Sequence, residues 1–207
     1  NAEQLADFQR HLVQSSRGER DDAVSRYILP PAEDFATEQL MATNVRPGWL
    51  LWGAVLLTLA GAVCFSRGWL GAGLVLLLLS TPLDLIAGRL ATLRLRPLSA
   101  RIWSKLTLWP SAGIALIAIG LWEMRHGTGW GALVAACASC GFAEAARIER
   151  STLPPGREMW LISRRNAIFL AVPFAIAGTW TAYLLVGLVY AAVSFFIVQR
   201  VRHPASS

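Results

Sequence analysis

Acidic residues are missing where the chain is most apolar. Between Glu38 and Glu123 the 207-residue sequence holds one carboxylate, Asp84. Charged residues make up 15% of the chain against 55% hydrophobic, and the mean hydropathy is +0.46. That balance excludes an ordinary soluble domain, because long apolar runs follow one another with short polar gaps, as in a polytopic membrane protein. Lysine is nearly absent too: eighteen of the nineteen basic residues are Arg, and Lys105 is the exception. The net charge of +6 does not imply a nucleic-acid partner, since membrane orientation accounts for where the positive charge falls. Cysteine is limited to Cys64, Cys137 and Cys140, all inside apolar runs, so no disulfide is implied. Cys137 and Cys140 form a C-x-x-C, but their helix offers no His or further Cys, and they read as small packing residues rather than a redox or metal motif. His11, His126 and His203 are scattered and build no site. No internal repeat and no chain of buried polar residues is visible, which removes support for a transporter. The first residue is Asn and no apolar run precedes Trp49, so no signal peptide is expected, and the chain reads as a piece of a longer protein or as a trimmed one.

Residues 1–47 are polar, with five Arg and eight acids, and read as a cytoplasmic linker with juxtamembrane helices. Leu5, Phe8, Leu12 and Val13 recur at helical spacing. Pro30-Pro31 breaks the chain, and Phe35, Leu40 and Met41 then predict a helix on the membrane surface with Glu33, Asp34 and Glu38 towards water. Residues 48–207 form the membrane domain, an all-α fold of six expected spans. These run from Trp49 to Phe65, Trp69 to about Leu90, about Leu98 to Trp122 with Pro110 as a kink, and Trp130 to Ala146. The last two share Asn166 to Gln199, a run of 34 uncharged residues with a natural turn at Gly178-Thr179-Trp180-Thr181. Seventeen of the nineteen basic residues fall on one side of this arrangement, Arg67 and Arg125 on the other. Both termini and the Asp84 end are therefore expected in the cytoplasm of a cell whose inner membrane, a bacterial one, holds the domain. Trp49, Trp52, Trp69, Trp122 and Trp130 sit at span ends as interfacial anchors, and the Gly and Ala content of spans one, two and four favours close helix packing.

Asp84 marks the candidate site, since an ionisable group at membrane depth is costly and by default belongs to a site or a buried pair. The stretch around it, Ser80 to Trp109, resembles the signature of CDP-alcohol phosphotransferases, D-x2-D-G-x2-A-R-x8-G-x3-D-x3-D. In register, Asp84 takes the first Asp, Gly88 the Gly and Ala91 the Ala, while the remaining positions hold Ala87, Thr92, Arg101, Lys105 and Trp109. A weaker likeness precedes it. Bifunctional enzymes that fuse a nucleotidyltransferase to this domain, inositol phosphodiester synthases among them, join the two through K-P-x-D-G-x-x-S-R-x-x-x-R-P. Here Asp21, Ser25, Arg26 and Pro31 fall in register with it.

The resemblance implies that four Asp residues on neighbouring helices hold two divalent cations on a CDP pyrophosphate, while an acceptor hydroxyl displaces CMP. One Asp of four cannot hold two such ions, Lys105 reverses a charge, and residues 85–122 contain no acid at any register. The first expectation is thus a domain inactive in that reaction, without cofactor, serving as scaffold, lipid-binding or partner-regulating domain. The alternative is an active transferase of phospholipid or phosphodiester synthesis with Mg2+ or Mn2+ at Asp84 and a CDP-alcohol as substrate. Asp84 and Lys105 are expected to form a structural pair that replaces the metals. Arg89, Arg94, Arg96 and Arg101 form a basic turn suited to anionic lipid or pyrophosphate, or simply set topology. Glu144 is expected to pair with Arg147 three residues on, and Glu123 to be a solvated helix end. Besides the bilayer itself, the expected partner is a second copy, or an intact relative in a heteromer.

Overall fold

The computed structural model describes residues 30–41, 43, 45–93, 113–127, 129–150 and 163–202. Leu5 to Val13, Asp21, Ser25, Arg26, Arg94, Arg96, Arg101, Lys105, Trp109, Pro110, His11 and His203 lie outside them. Among the described residues there are seven helices and no strand. They are α1 (Pro30–Met41), α2 (Pro47–Ser66), α3 (Leu70–Leu93), α4 (113–126), α5 (Trp130–Arg150), α6 (Arg164–Ala177) and α7 (Trp180–Arg202).

The breaks between helices fall where the backbone needs glycine. Gly68 (φ 82°) turns α2 into α3, and Gly178 (φ 68°) closes α6 with its N–H on Ala175 O while Thr179 N–H reaches Phe174 O. A left-handed residue is cheap only without a Cβ. The expected turn at Gly178-Thr179-Trp180 is therefore real, and each half of the uncharged run is one helix. Proline acts differently at its two places. Pro30 and Pro47 open helices, where their missing N–H has no helical partner to lose. Pro82 lies inside α3 and removes a ladder donor half a turn before Asp84, while the hydroxyls of Ser80 and Thr81 donate back to Leu77 O.

Among the described residues three helices, against the six spans expected, are long and apolar enough to cross a membrane: α2, α3 over Leu70–Ala91, and α7 over Trp180–Val201, while the first part of the expected third span, up to residue 112, lies outside those residues. The apolar part of α5 stops at Ala146, where its charged last turn begins, and that of α6 covers only Arg165–Ala177. At about 1.5 Å per residue, the 14 residues of α6 reach about 21 Å, against a hydrocarbon core of about 30 Å.

The helices meet around one apolar core. Phe65 of α2, Leu74 and Leu77 of α3, Ile119 of α4, Ala136 of α5, Ile168 of α6 and Leu184 of α7 are all buried in it. Small residues let backbones approach. A Cβ on Gly61 would lie 3.0 Å from Gly73 O, and one on Gly73 would lie 2.9 Å from Gly61 O and from the Phe65 ring. A Cβ on Gly120 would lie 2.8 Å from that of Ala136, which joins α4 to α5 in the same way. The small residues expected to favour close packing thus meet within one chain. Since the obstacle at Gly73 is backbone, Gly73→Ala is expected to destabilise the bundle by about 1–3 kcal/mol. Gly71→Ala, whose Cβ meets nothing within 4 Å, should stay within about 0.5 kcal/mol. Thermal unfolding of the detergent-solubilised protein measures both.

Candidate functional site

Asp84 lies on α3, with its side chain 16% exposed, and its Oδ2 stands 3.4 Å from Nη2 of Arg165 on α6. Arg165 sits in the first turn of α6, and Ser163 sets where that turn begins. Its extended backbone lets the hydroxyl accept from Asn166 N–H at 3.1 Å, an N-cap that orients the Arg-Arg-Asn turn towards α3. Asn166 Nδ2 donates to Tyr190 Oη of α7 at 3.3 Å. The expected partner Lys105 lies outside the described residues, whereas Arg165, 81 positions away in sequence, supplies a cation to Asp84.

Of the other signature positions, Ala87, Gly88 and Ala91 have described side-chain surroundings. Ala87, in place of the second Asp, is buried against Leu51, Ala54 and Val55 of α2. Ala91 is 1% exposed, and Gly88 is exposed with open space beside it. Thr92 is helical, and its side chain lies outside the described residues, as do Arg101, Lys105 and Trp109.

Arg89 departs from its expected place in a solvated basic turn. It lies inside α3, only 8% exposed, and its Nη1 donates to Asp34 Oδ1 of α1 at 2.5 Å. Asp34 accordingly turns inward rather than to water. It shares that face of α1 with the buried Thr37, while Phe35 is 66% exposed and Glu38 is exposed as expected. The physical reason is that a guanidinium withdrawn from water needs a counter-charge, and the carboxylate of α1 provides it. Asp34 and Arg165 are the two residues that sequence reading missed. No local signal points to either pairing, because the partners lie 55 and 81 positions apart in sequence.

Glu123 is a second correction. It is 8% exposed, not a solvated helix end, and its Oε2 accepts from Thr181 Oγ1 at 2.5 Å, tying α4 to the first turn of α7. Glu144 is half-buried on α5, and the side chains of Arg147 and Arg150 lie outside the described residues. Cys137 is exposed, and Cys140 lines an apolar cavity with Phe65, Leu77, Ile168 and Tyr183. Among the described residues no three His, Cys, Asp or Glu side chains cluster as metal ligands.

Separating the partners of the buried pair should be worse than removing both. Arg89→Met is expected to destabilise the protein by about 3–5 kcal/mol, and Asp34→Leu together with Arg89→Met should recover a large part of that loss. A double-mutant cycle on thermal or denaturant unfolding checks this. Additive losses would mean that the contact does not couple α1 to α3. No protein-family model and no curated protein matches the chain.

Proposed function

We propose that the chain is a membrane-embedded domain of CDP-alcohol phosphotransferase type in which pairs of charged side chains stand where active relatives hold divalent cations. On this reading it does not transfer a phosphoalcohol, and it serves as a helical scaffold that presents lipid- and partner-binding surfaces. One observation carries the reading: the signature carboxylate that remains, Asp84, faces the guanidinium of Arg165 at 3.4 Å. A divalent ion bound there would have to displace a cation already in place, and hard ions such as Mg2+ need several oxygen ligands besides. The position that should supply the next oxygen is Ala87, a methyl group packed on α2. The donor set does not fit a two-cation site, and no reaction step through one is derived.

The same reading takes α4, α5 and α6 as crossings alongside α2, α3 and α7, so that both termini face the cytoplasm. A homodimer, or a heteromer with an intact relative, is the expected assembly. The test of function is CMP release from CDP-alcohols by the full chain in membranes supplied with Mg2+ or Mn2+. No release above background is expected, and Asp84→Ala should change stability rather than activity. Metal-dependent release that disappears in Asp84→Ala would replace this reading with a working transferase. Topology is tested separately. A reporter active only outside the cytoplasm, fused after Ser207, should stay silent, and a strong signal there would mean an odd number of crossings.

A further inference from the structure

The outer face of α2 carries a groove that neither charge pair uses. Arg46, Gly48, Trp49, Trp52 and Leu56 line it, as a shallow depression open at the surface. Trp49 is 73% exposed, Trp52 55% and Leu56 63%, and the exposed stripe continues through Leu59 and Val63. Gly48 faces open space in it: a Cβ there would meet nothing within 4 Å. Its polar end is cationic. Arg46 is exposed, no carboxylate pairs with it among the described residues, and the first turn of α2 contains no acid. As the N-cap, Arg46 also leaves that turn without a side-chain cap, at the end of the helix where its dipole is positive.

Apolar surface below, aromatic rings between and an uncompensated cation on top describe a phospholipid in outline. The length agrees as well. Trp49 to Leu59 rises about 15 Å, half of the roughly 30 Å hydrocarbon core and thus the depth of one leaflet. A second copy of the chain fits less well. Helices associate in bilayers through small residues, and the small residues of α2, Ala54, Gly61 and Ala62, are buried against its own chain. The outward stripe below Gly48 consists of the bulky Trp49, Trp52, Leu56, Leu59 and Val63.

We propose that this groove is a binding site for one anionic diacyl phospholipid, its phosphate on Arg46 and an acyl chain along Trp49, Trp52 and Leu56. The inference rests on α2 lying in a bilayer and is independent of whether the Asp84 region releases CMP. Selectivity for a net negative headgroup follows because a choline cation would sit beside the unpaired guanidinium.

The experiment is native mass spectrometry of the full chain in detergent, titrated with phosphatidylglycerol or phosphatidylcholine. Phosphatidylglycerol adducts should exceed phosphatidylcholine adducts by about fivefold, the factor that one basic residue near a bilayer surface contributes. Arg46→Gln should abolish the preference, and Gly48→Phe should lower both adduct populations at unchanged melting temperature. Arg67→Gln, an exposed Arg at the far end of α2, should change nothing. Three results would overturn the site: equal adducts of the two lipids, an intact preference in Arg46→Gln, or displacement of the lipid by glycerol phosphate alone. Efficient Leu56→Cys disulfide cross-linking between copies would instead assign the face to a dimer. Carbonate extraction separates this failure from that of the membrane reading. A chain that stays embedded yet shows no lipid preference sinks the groove alone, whereas a chain that is released sinks both.

Discussion

A charge inside an apolar bundle has to be answered by another chain segment, and that requirement organises one end of this molecule. Asp84 and Arg89 both belong to α3, and each is met from a different helix, Arg165 on α6 and Asp34 on α1. Thus α3 becomes the element on which its neighbours are registered: α2 by apolar contact, α1 and α6 by charge. Such pairs contribute little net stability, because desolvation consumes most of the attraction, but a wrong register leaves a charge unanswered at a cost of several kcal/mol. They act chiefly by making alternative packings expensive. A surface helix as short as α1, 12 residues, has little else to hold it in one place.

The opposite end of the bundle is held by other means. Within one or two turns of the far end, Gly61 against Gly73 and Gly120 against Ala136 bring backbones together closely enough that a methyl group would collide. At the far end, Gly68 packs under the indole of Trp122, His126 stacks on that same indole, and Glu123 accepts from Thr181. The division follows depth. Direct backbone contact serves where lipid surrounds the helices and offers no hydrophobic drive between them. Polar clasps serve where the chain turns and must satisfy its ends.

How much of this was legible in the sequence depends on the range over which each feature is decided. The turns at Ser66-Arg67-Gly68 and Gly178-Thr179 are local matters of backbone conformation, and both lie where the residues put them. The helical nature of the apolar runs was equally plain, and the helix expected after Pro30-Pro31 is present, opening at Pro30. The partners of Asp84 and Arg89 were not legible, because a pairing 55 or 81 positions apart is fixed by tertiary packing and leaves no periodic trace. Glu123 was misread for a related reason. A carboxylate at a helix end looks solvated until the helix that covers it is known, and here the covering residue is Thr181. The neighbourhood of Asp84 was therefore readable as a place of buried charge, and unreadable as an arrangement.

The short α6 and the Asp84–Arg165 contact belong together. Asp84 lies nine residues before the end of α3, so at about 1.5 Å per residue it is roughly 14 Å inside that end. Arg165 is the second residue of α6 and still reaches it, so α6 begins below the level at which α3 finishes. At about 21 Å, α6 is shorter than a hydrocarbon core of about 30 Å, and its first turn meets Asp84 and Tyr190 at the end where α3 carries its charges. Non-helical backbone is tolerated at such depth only where protein covers it or water fills a recess, and Ser163, the last residue before α6, is 8% exposed and caps the helix.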